Sequence, residues 1–159
     1  MRYQMRVTAK FAILVMLVAL VIHPGYAMLL PRDDSVRAAF ELLLEAENVN
    51  NSSVGITGAR PKEYDAFETL WNAGNAAEDY ALKLVLDGTP AARVYGAILL
   101  LKLDEAAARR EFQRLKEDKT TVTICPGGCV CRQETVSNLV RKLEQGKSLI
   151  RTPSGIRHK

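Results

Sequence analysis

Three cysteines fall within seven residues, Cys125-Pro126-Gly127-Gly128-Cys129-Val130-Cys131, and they are the only cysteines in the chain. In an oxidising compartment, neighbouring thiols usually pair. Cys125 and Cys129 flank a three-residue turn and could bond across it, and Cys125 with Cys131 is the other pairing. So short a loop gains about 2 kcal/mol from closure, so either bridge would serve mainly to fix local shape. An odd number of thiols leaves one over, which raises a disulfide-linked dimer. Three thiolates could also hold a soft ion such as Cu(I). A closed zinc site wants a fourth ligand, and His158, near the end of the chain, is a poor one. Redox exchange is less favoured, because the two-residue spacing and helix start that acidify a thiol are missing.

Little else in the sequence suggests reaction chemistry. The two histidines are His23 and His158, so neither a Ser-His-Asp nor a Cys-His arrangement can be built on the body of the chain. There is no phosphate-cradling glycine loop and no dinucleotide fingerprint. Carboxylates such as Asp33-Asp34 and Glu78-Asp79 fall where helices start and on solvated faces. Trp71 and Tyr95 read as packing residues. The expectation is a protein that is not an enzyme and needs no cofactor.

Residues 1–27 read as a secretory signal peptide. Arg2, Arg6 and Lys10 precede twelve apolar residues, 11–22, then His23-Pro24-Gly25 breaks the helix. Gly25 and Ala27 are small enough for peptidase cleavage between Ala27 and Met28. The alternative is an uncleaved anchor extended by Met28-Leu29-Leu30, with the Pro-Gly break inside it. After cleavage no stable membrane anchor is expected, and the destination is the bacterial periplasm or the extracellular space.

The whole-chain charge of +4 is misleading. Without the leader, 19 basic residues face 18 acidic ones. Residues 28–140 are net −4 and residues 141–159 net +5. A nucleic-acid binder concentrates cations on its folded face, so that class is excluded. The expected domain spans 28–146, followed by a flexible basic tail, 147–159.

Six helices are predicted. The first, 34–47, carries Val36, Phe40, Leu43 and Leu44 at helical spacing. A polar loop, 48–59, follows. Its Asn50-Asn51-Ser52-Ser53 holds two overlapping glycosylation sequons, which outside a eukaryotic secretory pathway are only a turn-rich stretch. Helices over 61–73 and 76–87 come next. Thr89-Pro90 then pairs a capping hydroxyl with proline at a first helical position, starting a helix that runs to Leu103 and is apolar nearly all round. Asp104 caps a fifth helix, 105–117. The β-branched run 120–124 predicts a short strand, Pro126-Gly127-Gly128 a turn, and 129–131 a short return strand. A last helix is expected over 134–144. The fold class expected is therefore all-α: a small bundle of tandem helical hairpins with a short Cys-containing β-hairpin or loop near 120–132.

A shift of 30 residues places Ala66 on Gly96, Leu70 on Leu100, Leu82 on Phe112 and Val85 on Leu115. In 90–122, Pro90, Arg93, Gly96-Ala97, Leu100, Leu103, Ala107, Leu115, Asp118 and Val122 form a pattern. It resembles the short HEAT-like repeats of α-solenoid proteins, with the resemblance confined to about residues 61–122. Its first copy lacks the arginine and is poor in leucine. What the resemblance implies is a binding or scaffolding surface. The function expected is an exported, non-enzymatic protein-interaction module with an unidentified protein partner. The alternative is a thiol-based envelope protein that binds metal or exchanges redox equivalents through Cys125, Cys129 and Cys131.

Overall fold

Local capping chemistry places the central helix. In the computed structural model, which describes residues 31–153 (side chains from Asp34 onward), Thr89 Oγ1 accepts a hydrogen bond from the Ala92 amide at 3.1 Å, and Pro90 occupies the first helical turn. The same hydroxyl donates to the Ala46 carbonyl at 2.5 Å, tying the helix start to the chain after the first helix. The elements, in order, are α1 (Pro31–Leu44), β1 (Asn48–Asn50), α2 (Lys62–Ala73), a 3₁₀ turn (Gly74–Ala77), α3 (Glu78–Asp87), α4 (Pro90–Leu103), α5 (Glu105–Leu115), β2 (Thr121–Gly127), β3 (Val130–Thr135) and α6 (Val136–Glu144). The expected signal peptide, its cleavage point at Ala27 and Met28, and His158 lie outside the described residues.

Helix α4 forms the centre of the core. Val94, Tyr95, Ala97, Leu99 and Leu100 are buried, as an all-round apolar helix requires. Asp104 ends α4 and begins α5, its Oδ1 accepting from the Ala107 amide at 2.9 Å. Helix α5 is amphipathic, with Ala107, Ala108, Phe112 and Leu115 inside and Arg109 and Arg110 in solvent. From α2, Phe67 packs its ring 5.6 Å from Tyr95, and Trp71 lies 5.6 Å from Phe67, so an aromatic row joins α2 to α4.

The all-α expectation is corrected by a three-stranded mixed sheet of order β1-β2-β3. β2 and β3 form the antiparallel hairpin expected near 120–132, but Pro126 and Gly127 belong to β2, the turn falls at Gly128-Cys129, and the return strand runs from Val130 on to Thr135. Helix α6 consequently starts at Val136, with Thr135 as its cap. The addition is β1, read from the sequence as loop. It lies parallel to β2 with Asn48 opposite Thr123, Val49 opposite Ile124 and Asn50 opposite Cys125. Three residues are too few to show a two-residue period. Val49 is completely buried and Tyr95 binds the Asn50 backbone, so tertiary contacts make this strand.

Beyond α6, Gly146 adopts φ 74°, which lets the chain reverse. The segment expected as a loose tail is described to Pro153, and it begins with packing: Leu149 and Ile150 are buried. Tyr64 donates its hydroxyl to the Arg151 carbonyl at 2.8 Å, and the Arg151 amide donates to Asn51 Oδ1 at 2.9 Å.

Candidate functional site

The hairpin register decides which cysteines meet. Ile124 opposes Arg132 and Gly127 opposes Val130, so Cys125 and Pro126 together face the single residue Cys131. This bulge brings Cys125 and Cys131 to a Cα separation of 4.2 Å, and they are joined by a disulfide. Pro126 is tolerated there because a bulge does not require every amide in the ladder. Cys129 falls in the turn and is exposed with a free thiol. Of the two pairings open from the sequence, the structure takes Cys125–Cys131. Cys125 is buried beside β1, whereas Cys131 is exposed. Only one of the three sulfurs remains a thiol, and among the described residues no cluster of three or more His, Cys, Asp or Glu side chains is placed to hold a metal ion.

The loop before α2 is bound to the hairpin. Val54 bridges Ala59 on its own loop and Gly128 on the turn, and the Gly55 amide donates to the Gly128 carbonyl at 2.7 Å. Asn51 closes the arrangement: its amide nitrogen donates to the Pro126 carbonyl, and its Oδ1 accepts from the amides of Ser52, at 2.8 Å, and Arg151. The Asn50 side chain donates to Glu63 at 3.3 Å. Both sequon asparagines therefore spend their amides on the fold. Two exposed apolar side chains stand beside this contact, Ile56 on the loop at 94% exposure and Val130 at the start of β3 at 64%. With Leu86 on α3, these are the exposed large hydrophobic residues among those described.

Electrostatics on the other end of β3 is local and closed. Glu134 accepts from Arg132 at 2.6 Å and also from Lys142 of α6. Burial alone would raise the Glu134 carboxyl, but the two charged donors outweigh it and hold its pKa below the usual carboxylate range. β3 is an edge strand: β2 flanks it on one side, and no described strand flanks the other.

A second concavity lies elsewhere. Trp71 of α2, Ile98, Leu101 and Lys102 of α4, Leu143 of α6 and the returning residues 146–150 line a groove of about 290 Å³. Lys102 Nζ sits 4.3 Å from the centre of the Trp71 ring and donates to the Trp71 carbonyl. Trp71, expected as a packing residue, also lines this groove, and the groove depends on where the chain runs after Gly146, which no local pattern sets. Among the described residues no helix is long and apolar enough to cross a membrane. No protein-family model, curated protein or solved structure matches the chain.

Proposed function

We propose that this chain is an exported, non-enzymatic protein-binding module, with its partner surface at the tip of the cysteine hairpin rather than on the helical hairpins. The observation that carries this reading is the placement of Ile56 and Val130 in solvent, on a loop and a hairpin end joined by the Gly55–Gly128 hydrogen bond and braced by the Cys125–Cys131 disulfide. Exposed apolar side chains on a rigid support are what a partner can bury at low entropic cost. The open edge of β3 beside them suits a partner that adds an extended strand. The non-enzymatic half of the reading is supported by the carboxylates, which hold structure: Asp104 caps α5, Asp118 binds Arg93, and Glu134 binds Arg132 and Lys142. Export rests on the leader read in residues 1–27. The Arg93–Asp118 ion pair, inside the segment that resembles a HEAT-like repeat, supports reading α4 and α5 as one such unit of the scaffold.

Site-directed photo-crosslinking tests the surface. A photoreactive residue at position 56 or 130 should give a discrete adduct with one protein of the same compartment, and a residue at exposed Arg110 should not. Adducts only from position 110, or from none of the three, would refute the assignment. A second reading is favoured by one observation: the free, exposed Cys129 sits two residues from a disulfide sulfur, where a thiol-based metal-binding or redox protein would want it. Cys129→Ser separates the two, because protein binding should survive it and thiol chemistry should not.

A further inference from the structure

The groove behind Trp71 has features that the protein-binding reading does not use. Its wall is apolar, built from Ile98, Leu101, Leu143, Leu149 and Ile150. Its polar lining contains two cations, Lys102 and Lys147, and no carboxylate. Neither lysine forms an ion pair with a described acid, whereas Lys116 and Lys142 do. Lys102 is held in place by the Trp71 ring and carbonyl, and its ammonium is partly stripped of water, which lowers its pKa. Fastening the last turn of α2 accounts for the bond from Lys102 to the carbonyl. It does not account for an open apolar cleft beneath a charged rim. The volume of about 290 Å³ is at the lower end of small-molecule sites, too small for a folded partner's helix and suited to one short chain.

We propose that this groove binds a small amphipathic carboxylate, with the apolar chain against Ile98, Leu101, Leu143 and Ile150 and the anionic head at Lys102 and Lys147. The charge asymmetry selects the ligand class. An acid-free rim with two unpaired ammonium groups favours an anion over a neutral or cationic amphiphile of the same length. The apolar wall excludes small hydrophilic anions, which would gain nothing below the rim. This site is independent of the hairpin tip, and its failure would leave the protein-binding proposal untouched.

Trp71 is the single tryptophan of the chain, so its emission reports this groove alone. Titration of the full chain with octanoate, with 1-octanol and acetate as controls, should give a saturable change in Trp71 emission for octanoate. Affinity for octanol and acetate should be weaker by about tenfold or more. Lys102→Met keeps the length of the stem and removes the charge, and should weaken octanoate by about tenfold while leaving octanol unchanged. If Lys102→Met melts early or loses its circular dichroism, Lys147→Met, at an exposed position, carries the same expectation on a smaller scale. No saturable response to octanoate would overturn the proposal. So would equal affinity for octanol, or full octanoate affinity in a folded lysine variant.

Discussion

The Tyr95 hydroxyl makes two hydrogen bonds to one residue: it accepts from the Asn50 amide at 2.7 Å and donates to the Asn50 carbonyl at 3.3 Å. A side chain from the central helix thus takes the place of a sheet neighbour for the last residue of β1. Burial pushes the Tyr95 hydroxyl well above the ordinary phenol range, with the Asn50 backbone opposing it. Tyr95→Phe leaves both Asn50 backbone groups without this partner and should cost about 1–3 kcal/mol in chemical denaturation. The pH dependence has a definite sign. Ionisation is disfavoured in the folded state, so the contribution is complete below the unfolded value of 10.0 and is lost as pH rises through the higher folded value. Alkaline titration of stability should therefore be steeper in the wild type than in Tyr95→Phe; equal slopes would show that the hydroxyl is not buried as described.

Arg93 and Asp118 form an ion pair that is mostly buried, with side-chain exposures of 23% and 11%. Arg93 also donates to the Gly88 carbonyl at 3.2 Å. Asp118 accepts from the Thr120 amide at 2.9 Å, and its carbonyl accepts from Ser137 at 2.9 Å, so one residue links α4, the start of the sheet and α6. Removing the acid strands a mostly buried guanidinium. Asp118→Ala should cost about 2–3 kcal/mol, and Asp118→Asn less, by thermal or urea unfolding.

At Gly96 the central helix lies directly on α3. A Cβ built there would come 2.7 Å from the Ala81 carbonyl oxygen, 2.8 Å from Val85 Cγ2 and 2.9 Å from Leu84 Cβ. Two of those neighbours are backbone or Cβ atoms that cannot rotate away. Alanine is the better helix former by about 1 kcal/mol, yet Gly96→Ala should destabilise by about 1–3 kcal/mol because the two helices must separate. A stabilised Gly96→Ala protein would mean that α3 and α4 do not pack this closely.

The hairpin disulfide closes a loop with a sequence separation of 6. Replacing Cys125 and Cys131 together by serine should cost about 2 kcal/mol, with the helical circular dichroism retained. Cys129→Ser, at an exposed turn position, should stay within about 0.5 kcal/mol of the wild type. Mass spectrometry of the oxidised protein after alkylation should find one modified thiol, on the peptide that carries Cys129.

Glu134 provides an acid-side signature. Its folded pKa is depressed, so its stabilising contribution is present above the unfolded value of 4.5 and is lost as pH falls through the lower folded value. Glu134→Gln should therefore flatten the loss of stability between about pH 5 and pH 3. Nuclear magnetic resonance titration of the Glu134 carboxyl would give the shift directly, and an ordinary carboxylate value would mean that Arg132 and Lys142 do not hold it in solution.

Most helices were legible because their signals are local. Thr89-Pro90 and Asp104 cap α4 and α5 at the positions their chemistry indicates, and the apolar runs of α4 and α5 match what is buried. The hairpin is legible as well, through its β-branched run and the glycines that follow, but its turn falls at Gly128-Cys129 because Gly127 pairs with Val130. The boundary between β3 and α6 differs from the expected start at 134 because Glu134 and Thr135 suit a helix start as well as a strand end; pairing with Val122 and Thr121 decides it.

Sequence alone determined the order and approximate extent of the helices, the presence of a hairpin after them and the clustering of all three cysteines around its turn, since capping, periodicity and spacing act within a few residues. Tertiary structure alone decided three things. It made a strand of Asn48–Asn50, whose burial and hydrogen bonding come from Tyr95 and β2, 45 and about 75 residues away. It chose Cys131 over Cys129 as the partner of Cys125, because the bulge, and not the cysteine spacing, sets which side chains face each other. And it built the Trp71–Lys102 groove by folding residues 146–152 back over α2 and α4. Each depends on contacts between segments far apart in the chain, and no pattern within one segment encodes where another will lie.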